Sequence, residues 1–194
     1  MRNGRSIVER NLFHLVAGSL LPIIGLVLHR DALFWASVAI ASLLLVMELA
    51  RFTSTSVNAY IFKYIGVLFK EEEAHTITGA SYMLIATVGA FFFFEKSLAI
   101  MALFFLSIGD PMAALVGSRI GRIRYLGKSL EGSLAFLATS FVVAALFSLT
   151  GELNPLWPLL VGAAVAALVE ALPLPVDDNL SIPMLAGAVT AMLL

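Results

Sequence analysis

The sequence has no cysteine and few charged residues. Of its 194 residues 13% are charged, whereas a soluble domain carries about a quarter. The lack of cysteine excludes a disulfide framework and a thiolate metal site. The scarcity of charge, together with 60% hydrophobic residues and a mean hydropathy of +0.98, is not typical of a water-soluble domain. The chain is therefore expected to be an integral membrane protein.

Long polar linkers are also missing, so residues 1–194 are predicted to form a single membrane-embedded domain. A helix of roughly 20 apolar residues is long enough to cross a bilayer. Seven such segments are found, the last of them short: 11–28, 32–50, 78–94, 97–117, 132–149, 155–172 and 180–194. Because backbone amides cannot stay unpaired in hydrocarbon, these segments should be helical. The predicted fold class is all-α, a polytopic bundle of about seven transmembrane helices.

The basic residues predict the orientation of this bundle. If the N-terminus is cytoplasmic, ten of the twelve Lys and Arg residues fall on the inside, and only Arg30 and Lys96 fall outside. Cytoplasmic segments carry such an excess. We expect a cytoplasmic N-terminus in a prokaryotic inner membrane. The long connection 51–75 is either an interfacial amphipathic helix, with Lys63, Val67, Leu68 and Lys70, or a tilted extension of the second span.

The polar residues are sorted in the same way, since most of them fall at the inner ends of the spans. They are His14, Glu48, His75, Asp110, Glu131, Glu170, Asp177, Asp178 and Asn179. The outer loops hold little beyond Asp31, Glu95, Glu152 and Asn154. The functional face is therefore expected to be cytoplasmic.

Asp110 is the leading candidate for chemistry, because an ionisable residue within a span is costly and marks a functional site by default. Pro111 follows it and is expected to kink the helix, while Gly109 permits close approach of backbone or ligand. Gly117 and Gly121 lie further along and allow close packing or a bound ligand. The alternative is a structural Asp110 paired with a neighbouring cation.

The segment 119–128, which leads into 127–132, is a basic loop that could bind phosphates. Lys128 and Ser129 precede a helix start, whose amides favour an anion, whereas Arg122 and Arg124 are better explained as membrane anchors. Gly127-Lys128-Ser129 is similar to the end of a P-loop. The preceding Gly121 is one residue too distant and no strand leads into it, which excludes a P-loop.

Adjacent carboxylates at Asp177 and Asp178 form the third candidate element. Such oxygen ligands suit Mg²⁺, which takes one or two protein carboxylates and substrate phosphate oxygens. The alternative is an acidic helix start that Asp178 or Asn179 caps. Both explanations could hold together.

Several other polar residues have simpler explanations. Glu48 and Arg51, spaced i and i+3, could pair with each other. The run 71–73 is most simply a solvated group of glutamates. Glu170 has no obvious local partner, and His14 and His75 are each a base, a hydrogen-bond anchor or a phosphate ligand, or else structural.

At these elements the sequence resembles the CTP-dependent polyprenol, dolichol, phytol and diacylglycerol kinases, and more distantly the membrane cytidylyltransferases. The matching segments are 10–18 with His14, 48–51, 75–82, 109–121, 128–133, and Glu170-Ala171 with 177–183. The resemblance covers nearly the whole chain in consistent order. It implies transfer of the terminal phosphate of CTP to the hydroxyl of a membrane lipid, with a divalent cation.

Within this resemblance we assign roles to the candidate residues. Mg²⁺ is expected to be held by Asp110, Asp177 and Asp178. The CTP site is expected to include Arg119, Lys128, Ser129, Gly117, Gly121 and Asn179. The lipid hydroxyl is expected to be positioned or deprotonated by Glu131, Glu170 or His75.

Three rival functions remain at this point. A cytidylyltransferase uses the same nucleotide but breaks a different bond. A small transporter requires polar residues near the bilayer midplane and inverted repeats, which the sequence lacks. A structural membrane protein leaves Asp110 unexplained. The expected partners are a lipid alcohol such as polyprenol, phytol or diacylglycerol, CTP and the bilayer, with a homodimer as a further candidate and no nucleic acid.

Overall fold

The computed structural model describes residues 4–66, 69 and 71–194, with the side chains of 4–10 and 71–72 excepted. The chain over these residues is mostly helical. Its elements are α1 Gly4–Gly25, α2 Arg30–Thr53, α3 Thr55–Ile65, a 3₁₀ turn Glu71–Ala74, α4 Gly79–Phe93, α5 Lys96–Ile120, β1 Arg124–Tyr125, β2 Lys128–Ser129, α6 Leu130–Leu149, α7 Leu156–Ala171 and α8 Asp178–Leu193. The seven predicted segments coincide with α1, α2 and α4 to α8. The all-α class is confirmed, apart from one short hairpin.

Helix α5 is the centre of the bundle. In the most apolar 18-residue stretch of α5, 61% is buried inside the bundle, whereas the corresponding shares are 22% in α2 and 28% in α6. Phe105 of α5 and Phe136 of α6 are fully buried in the core, and so is Leu159 of α7. Asp110, which lies on the central helix, is therefore surrounded by the other elements of the bundle.

The perimeter of the bundle is apolar. Large hydrophobic side chains such as Leu43, Val46, Phe93 and Leu149 are exposed, which suits a surface solvated by lipid. Within the described ranges, three helices, α2, α5 and α6, are long and apolar enough to cross a membrane, and α4, α7 and 11–25 of α1 are shorter apolar helices. These features support an integral membrane protein, while the number of crossings and the orientation stay predictions.

The connection between α2 and α4 contains a separate helix. Ser54 has an extended backbone, which ends α2, and its side chain accepts a hydrogen bond from the Val57 amide at the start of α3. Thus α3 is not a continuation of α2, and the predicted tilted extension is wrong. Of the predicted interfacial segment, Val67, Leu68 and Lys70 lie outside the described residues.

Helix α5 continues through Pro111 without interruption. The sequence predicts a carboxylate beside a break in the helix, but Asp110 lies within a continuous helix. Proline lacks only its own backbone donor, and the packed core on both sides of α5 retains the helical path.

A two-stranded hairpin joins α5 to α6. Tyr125 pairs with Lys128, and the two residues between them, Leu126 and Gly127, have φ of 44° and 82°. Two central residues with positive φ are typical of the tight turn that matches strand twist, which explains the glycine. Gly127 thus forms a hairpin turn instead of a phosphate loop, as the failed P-loop spacing predicts.

A few polar residues lie at the end of the bundle opposite the hairpin, as the sequence predicts. At the end opposite the hairpin, Arg30 donates to the Phe91 and Phe92 carbonyls, and Lys96 donates to the Leu28 carbonyl. These contacts close the loops at that end. The carboxylates of the candidate site lie at the hairpin end.

Candidate active site

Two cavities at the hairpin end of the bundle define the candidate site. The inner cavity, of about 180 Å³, lies among α1, α4, α5 and α8 and is lined by His14, Asp110 and Asn179 among others. The outer cavity, of about 420 Å³, lies between the hairpin, the segment before α4 and the α7–α8 connection. Glu73 and Asp178 line both cavities. The two spaces therefore meet at these carboxylates.

Lys128 connects the hairpin to the start of α8. Its ammonium lies 2.9 Å from Asp178 Oδ2 and 3.3 Å from Glu170 Oε1, and it also donates to the Glu170 backbone carbonyl. Burial alone would lower the pKa of Lys128, but the hydrogen bond to Asp178 and the attraction of both carboxylates raise it above its ordinary value. Lys128 thus keeps its positive charge on the wall of the outer cavity.

Glu170 is held by residues of two other elements. The residue is 5% exposed, and its Oε2 accepts a hydrogen bond of 2.8 Å from Ser133. The hydroxyl of Tyr125 lies 2.5 Å from the Ser133 oxygen. Glu170, which lacks a local partner in sequence, therefore has partners that only the folded bundle supplies.

The acidic segment before α8 forms a helix cap. Asp177 Oδ1 accepts hydrogen bonds of 2.9 Å from the Asn179 amide and 2.7 Å from its side chain. The predicted cap was Asp178 or Asn179, and this is wrong by one residue. The extended backbone of Asp177 places its carboxylate over the first turn, which leaves Asp178 to bind Lys128.

The first turns of α4 and α8 meet beside the inner cavity. A Cβ on Gly79 would lie only 2.8 Å from Asn179 Nδ2, so glycine lets the two helix starts approach closely. Helix N-termini carry partial positive charge, which favours an anion. Two such ends therefore point toward one site.

Asp110 lines the inner cavity and has no hydrogen-bond or ion-pair partner among the described residues. Among the described residues, nothing donates a hydrogen bond to its carboxylate and no cation pairs with it. The predicted structural alternative, a neighbouring Lys or Arg, is therefore absent from that part of the chain. Asp110 also lies close enough to Asp178 for the two charges to repel each other.

Glu73 is a residue that the sequence did not single out. It is 8% exposed, its Oε1 accepts a hydrogen bond of 2.9 Å from the Gly79 amide, and it lines both cavities. The prediction of a solvated run is wrong for Glu73, while the side chains of Glu71 and Glu72 lie outside the described residues. A carboxylate shortly before the Thr78 cap was an available signal, which the run of three glutamates obscured.

Ser129 and the nearby glycines pack α5 against α6. Ser129 is 4% exposed, and its hydroxyl accepts from the Gly132 amide as the cap of α6. A Cβ on Gly117 or Gly121 would lie 2.6 or 2.7 Å from Ser129 Oγ. The space beside both glycines is thus filled by Ser129, and a nucleotide contact for these three residues stays a prediction.

The other predicted site residues lie away from both cavities. Glu131 is half-buried and accepts hydrogen bonds from the Arg122 and Ile123 amides. Arg119 and His75 are exposed and line neither cavity. Their predicted roles would require a substrate that extends beyond these cavities.

Glu48 and Arg51 form a buried pair, as the sequence predicts, within a larger network. Arg51 lies 2.5 Å from Glu48 Oε2 and donates to the Glu73 and Thr76 carbonyls. Glu48 Oε1 accepts from Thr78 and from Ser81. This Glu48–Arg51 network fixes the segment before α4, and through it the position of Glu73.

No protein-family model and no solved structure match the chain. The CTP-dependent diacylglycerol kinase 1 of Saccharomyces cerevisiae is 26% identical over a 211-residue alignment, which covers 93% of this chain and 71% of that relative. The dolichol kinase of the same yeast is 56% identical over 45 residues, 22% of this chain and 9% of the relative. A probable chloroplastic phytol kinase 1 of Oryza sativa is 34% identical over 118 residues, 53% of this chain and 38% of the relative.

These relatives carry the names that the sequence motifs led us to expect. The similarity to the diacylglycerol kinase extends over nearly the whole chain, while the shorter dolichol kinase match has a higher identity. These relatives support a similarity of the chain to the CTP-dependent diacylglycerol, dolichol and phytol kinases.

Proposed function

We propose that this protein is a lipid kinase that transfers the terminal phosphate of CTP to the hydroxyl of a membrane lipid alcohol. The observation that carries the proposal is the position of Asp178, which lines both cavities and binds Lys128. Phosphoryl transfer is mostly positioning and neutralisation of charge. A site at which an acidic cluster, a lysine and two helix N-termini meet provides both.

The outer cavity is the proposed CTP site. It is the larger and more open of the two, and Lys128 on its wall carries a charge that suits a phosphate chain. Lys128 binds carboxylates here, so nucleotide phosphates would compete with Asp178 and Glu170 for its ammonium. The choice of CTP as the donor is supported by the name of the yeast diacylglycerol kinase.

The inner cavity is the proposed site of the reacting hydroxyl. The acceptor oxygen forms a bond to the terminal phosphorus, and the bond from that phosphorus to the bridging oxygen breaks. CDP leaves with the electron pair of the broken bond, and the acceptor proton passes to a carboxylate of the site or to water. Glu131, Glu170 and His75 remain proposed bases, although none of them lines this cavity.

The donor set of the inner cavity fits Mg²⁺. In the described part of the chain, no three His, Cys, Asp or Glu side chains gather tightly enough to hold a metal by themselves. Mg²⁺ takes one or two protein carboxylates and completes its shell with phosphate oxygens and water. Asp110 and Asp178 would hold the ion, with Asp177 nearby, and the ion would neutralise charge on the phosphates.

The fate of the nucleotide tests the proposal. Purified protein is incubated with dioctanoylglycerol, phytol or a short polyprenol and with CTP labelled either in the terminal phosphate or in cytosine. A kinase brings the phosphate label into the lipid fraction and releases CDP. Cytosine label in lipid with release of pyrophosphate would indicate a cytidylyltransferase, and label in no lipid would contradict both enzymes.

The orientation is proposed with the function. The hairpin end, which carries both cavities, is placed in the cytoplasm, where CTP is found. A cysteine introduced at Ser118 should be shielded from an impermeant thiol reagent outside intact cells, while one at Asn154 should react. Labelling of position 118 from outside would reverse the orientation.

A further inference from the structure

His14 of α1 has a buried ring nitrogen that lacks a hydrogen-bond partner in the described part of the chain. Its Nε2 is inaccessible, and no described residue forms a hydrogen bond with it. Leaving a buried polar atom unsatisfied is unfavourable, and such atoms in native proteins require an explanation. His14 lines the inner cavity, so a group bound there can supply the partner.

The packing of α1 against α5 fixes the depth of His14. A Cβ on Gly18 would lie 3.0 Å from Ser107 Cβ, and a Cβ on Gly25 would lie 2.9 Å from Ile100 Cδ1. As the α1 number rises the α5 number falls, so the two helices are antiparallel. Ser19 also donates a 3.0 Å hydrogen bond to Ser107, which holds this register.

The same register places His14 beside Asp110. One turn before Gly18 is His14, and about one turn after Ser107 is Asp110, so both lie at the same depth in the bundle. The two residues line the same cavity. His14, whose Nε2 has no described partner, and Asp110, whose carboxylate has none among the described residues, therefore line a shared space.

The lining of the inner cavity favours an alcohol with an apolar chain. In addition to the polar groups, the cavity is lined by the apolar side chains of Phe13 and Met83. Phe13 is 39% exposed on the apolar perimeter, which indicates that the cavity reaches the lipid-facing edge of α1. A lipid chain can follow this apolar wall while its hydroxyl lies among the polar groups.

We propose that His14 binds the hydroxyl of the acceptor lipid, as a hydrogen-bond partner that orients this oxygen toward the phosphate. This inference rests on the proposed function and deepens it, because it assigns the inner cavity to the acceptor headgroup. Correct orientation of a reacting group can raise the rate by large factors. Loss of His14 should therefore lower the rate of reaction with the acceptor and leave the binding of the nucleotide unchanged.

The test is a steady-state comparison of His14→Phe, His14→Gln and the matched control His29→Phe. His29 is exposed at the opposite end of the bundle. The acceptor is the lipid alcohol that the wild-type enzyme phosphorylates with CTP. Relative to the wild type, His14→Phe should lower kcat/KM for this acceptor about a hundredfold and leave the apparent KM for CTP within about twofold. His14→Gln, which keeps a hydrogen-bonding side chain, should recover much of the loss, and His29→Phe should match the wild type.

Three results would overturn the proposal. The first is an unchanged acceptor kcat/KM in His14→Phe. The second is a loss in His14→Phe that His14→Gln does not recover at all, and the third is a rise in the KM for CTP as large as the fall in acceptor kcat/KM; both indicate a structural role.

A binding measurement keeps the inference separate from the proposed function. If the wild type transfers no phosphate, thermal stabilisation of purified protein by dioctanoylglycerol, phytol and a short polyprenol decides. Stabilisation that His14→Phe abolishes and His29→Phe retains supports an acceptor site at His14. Equal stabilisation in the wild type and His14→Phe, or none in the wild type, overturns it.

Discussion

The hairpin end of the bundle contains two polar clusters that differ in how well they are satisfied. In the Glu48–Arg51 network both residues are at most 3% exposed, and each forms its hydrogen bonds with other protein groups. In the inner cavity, Asp110 and His14 have no such partner among the described residues. Both clusters are costly in an apolar environment, yet only one of them is internally complete.

This difference separates a structural cluster from a functional one. A complete network stabilises one arrangement of the segment before α4, because removal of any member leaves another unpaired. Groups with unused hydrogen-bonding capacity are those that can bind a ligand. Substitutions in the first cluster should therefore reduce stability, and substitutions in the second should reduce activity.

The largest expected effect is that of Arg51→Ala on stability. It leaves Glu48 buried without its cation, and breaking such a pair costs about 3 to 5 kcal/mol. Thermal unfolding in detergent measures the change. The exposed Arg122→Ala is the matched control, expected within about 0.5 kcal/mol of the wild type. A wild-type melting temperature for Arg51→Ala would show that the network does not stabilise the fold.

Asp110→Asn is expected to have the next largest effect, on turnover. The isosteric change removes the charge that would face the metal and phosphates, and should lower kcat by about a hundredfold or more while melting is unchanged. Asp178→Asn should act similarly. The exposed Asp31→Asn at the other end serves as the control. Near-full activity of Asp110→Asn would return Asp110 to a structural role.

Lys128→Ala should have an intermediate effect, which is a weaker binding of the nucleotide. Removing the ammonium from the outer cavity should raise the apparent KM for CTP about tenfold, since one charge-assisted contact to phosphate is lost. Initial rates at varied CTP measure this. Arg124→Ala, whose side chain donates to the Gly117 carbonyl instead, should change the KM little. Equal and mild effects of both would indicate an electrostatic anchor in place of a phosphate site.

Ser129→Ala should have the smallest effect. It removes the cap of α6, which is typically worth about 1 kcal/mol of stability, and should leave the KM for CTP near its wild-type value. Ser118→Ala on the exposed end of α5 is the control. A raised KM for CTP with unchanged melting would instead support the predicted phosphate contact of Ser129.

The helices could be predicted from the sequence because lipid imposes a simple rule. Any apolar run that crosses hydrocarbon must satisfy its own amides, so run length alone located α1, α2 and α4 to α8. The ends of α8 and the break at Ser54 were less predictable. They depend on which of several adjacent side chains reaches a backbone amide.

The sequence predicted several of the residues that line the candidate site, but it did not predict which groups those residues bind. Asp110, Asp178, Asn179 and Lys128 were named from the sequence and do line the cavities. Glu131 was named too, yet its carboxylate binds loop amides. Glu73 was missed, because its burial results from contact with α4 and its local sequence is merely acidic.

The sequence by itself determined the membrane class, the positions of seven helices and the collection of polar residues at one end, since each follows from local hydropathy and charge. Only the tertiary structure decided which polar groups complete one another and which remain free to bind. The physical reason is distance: Lys128 meets Asp178 and Glu170, and His14 meets the cavity of Asp110, across helices far apart in the chain. Hydrogen bonds and charge pairs form only over a few ångströms, so the packing of the bundle assigns them.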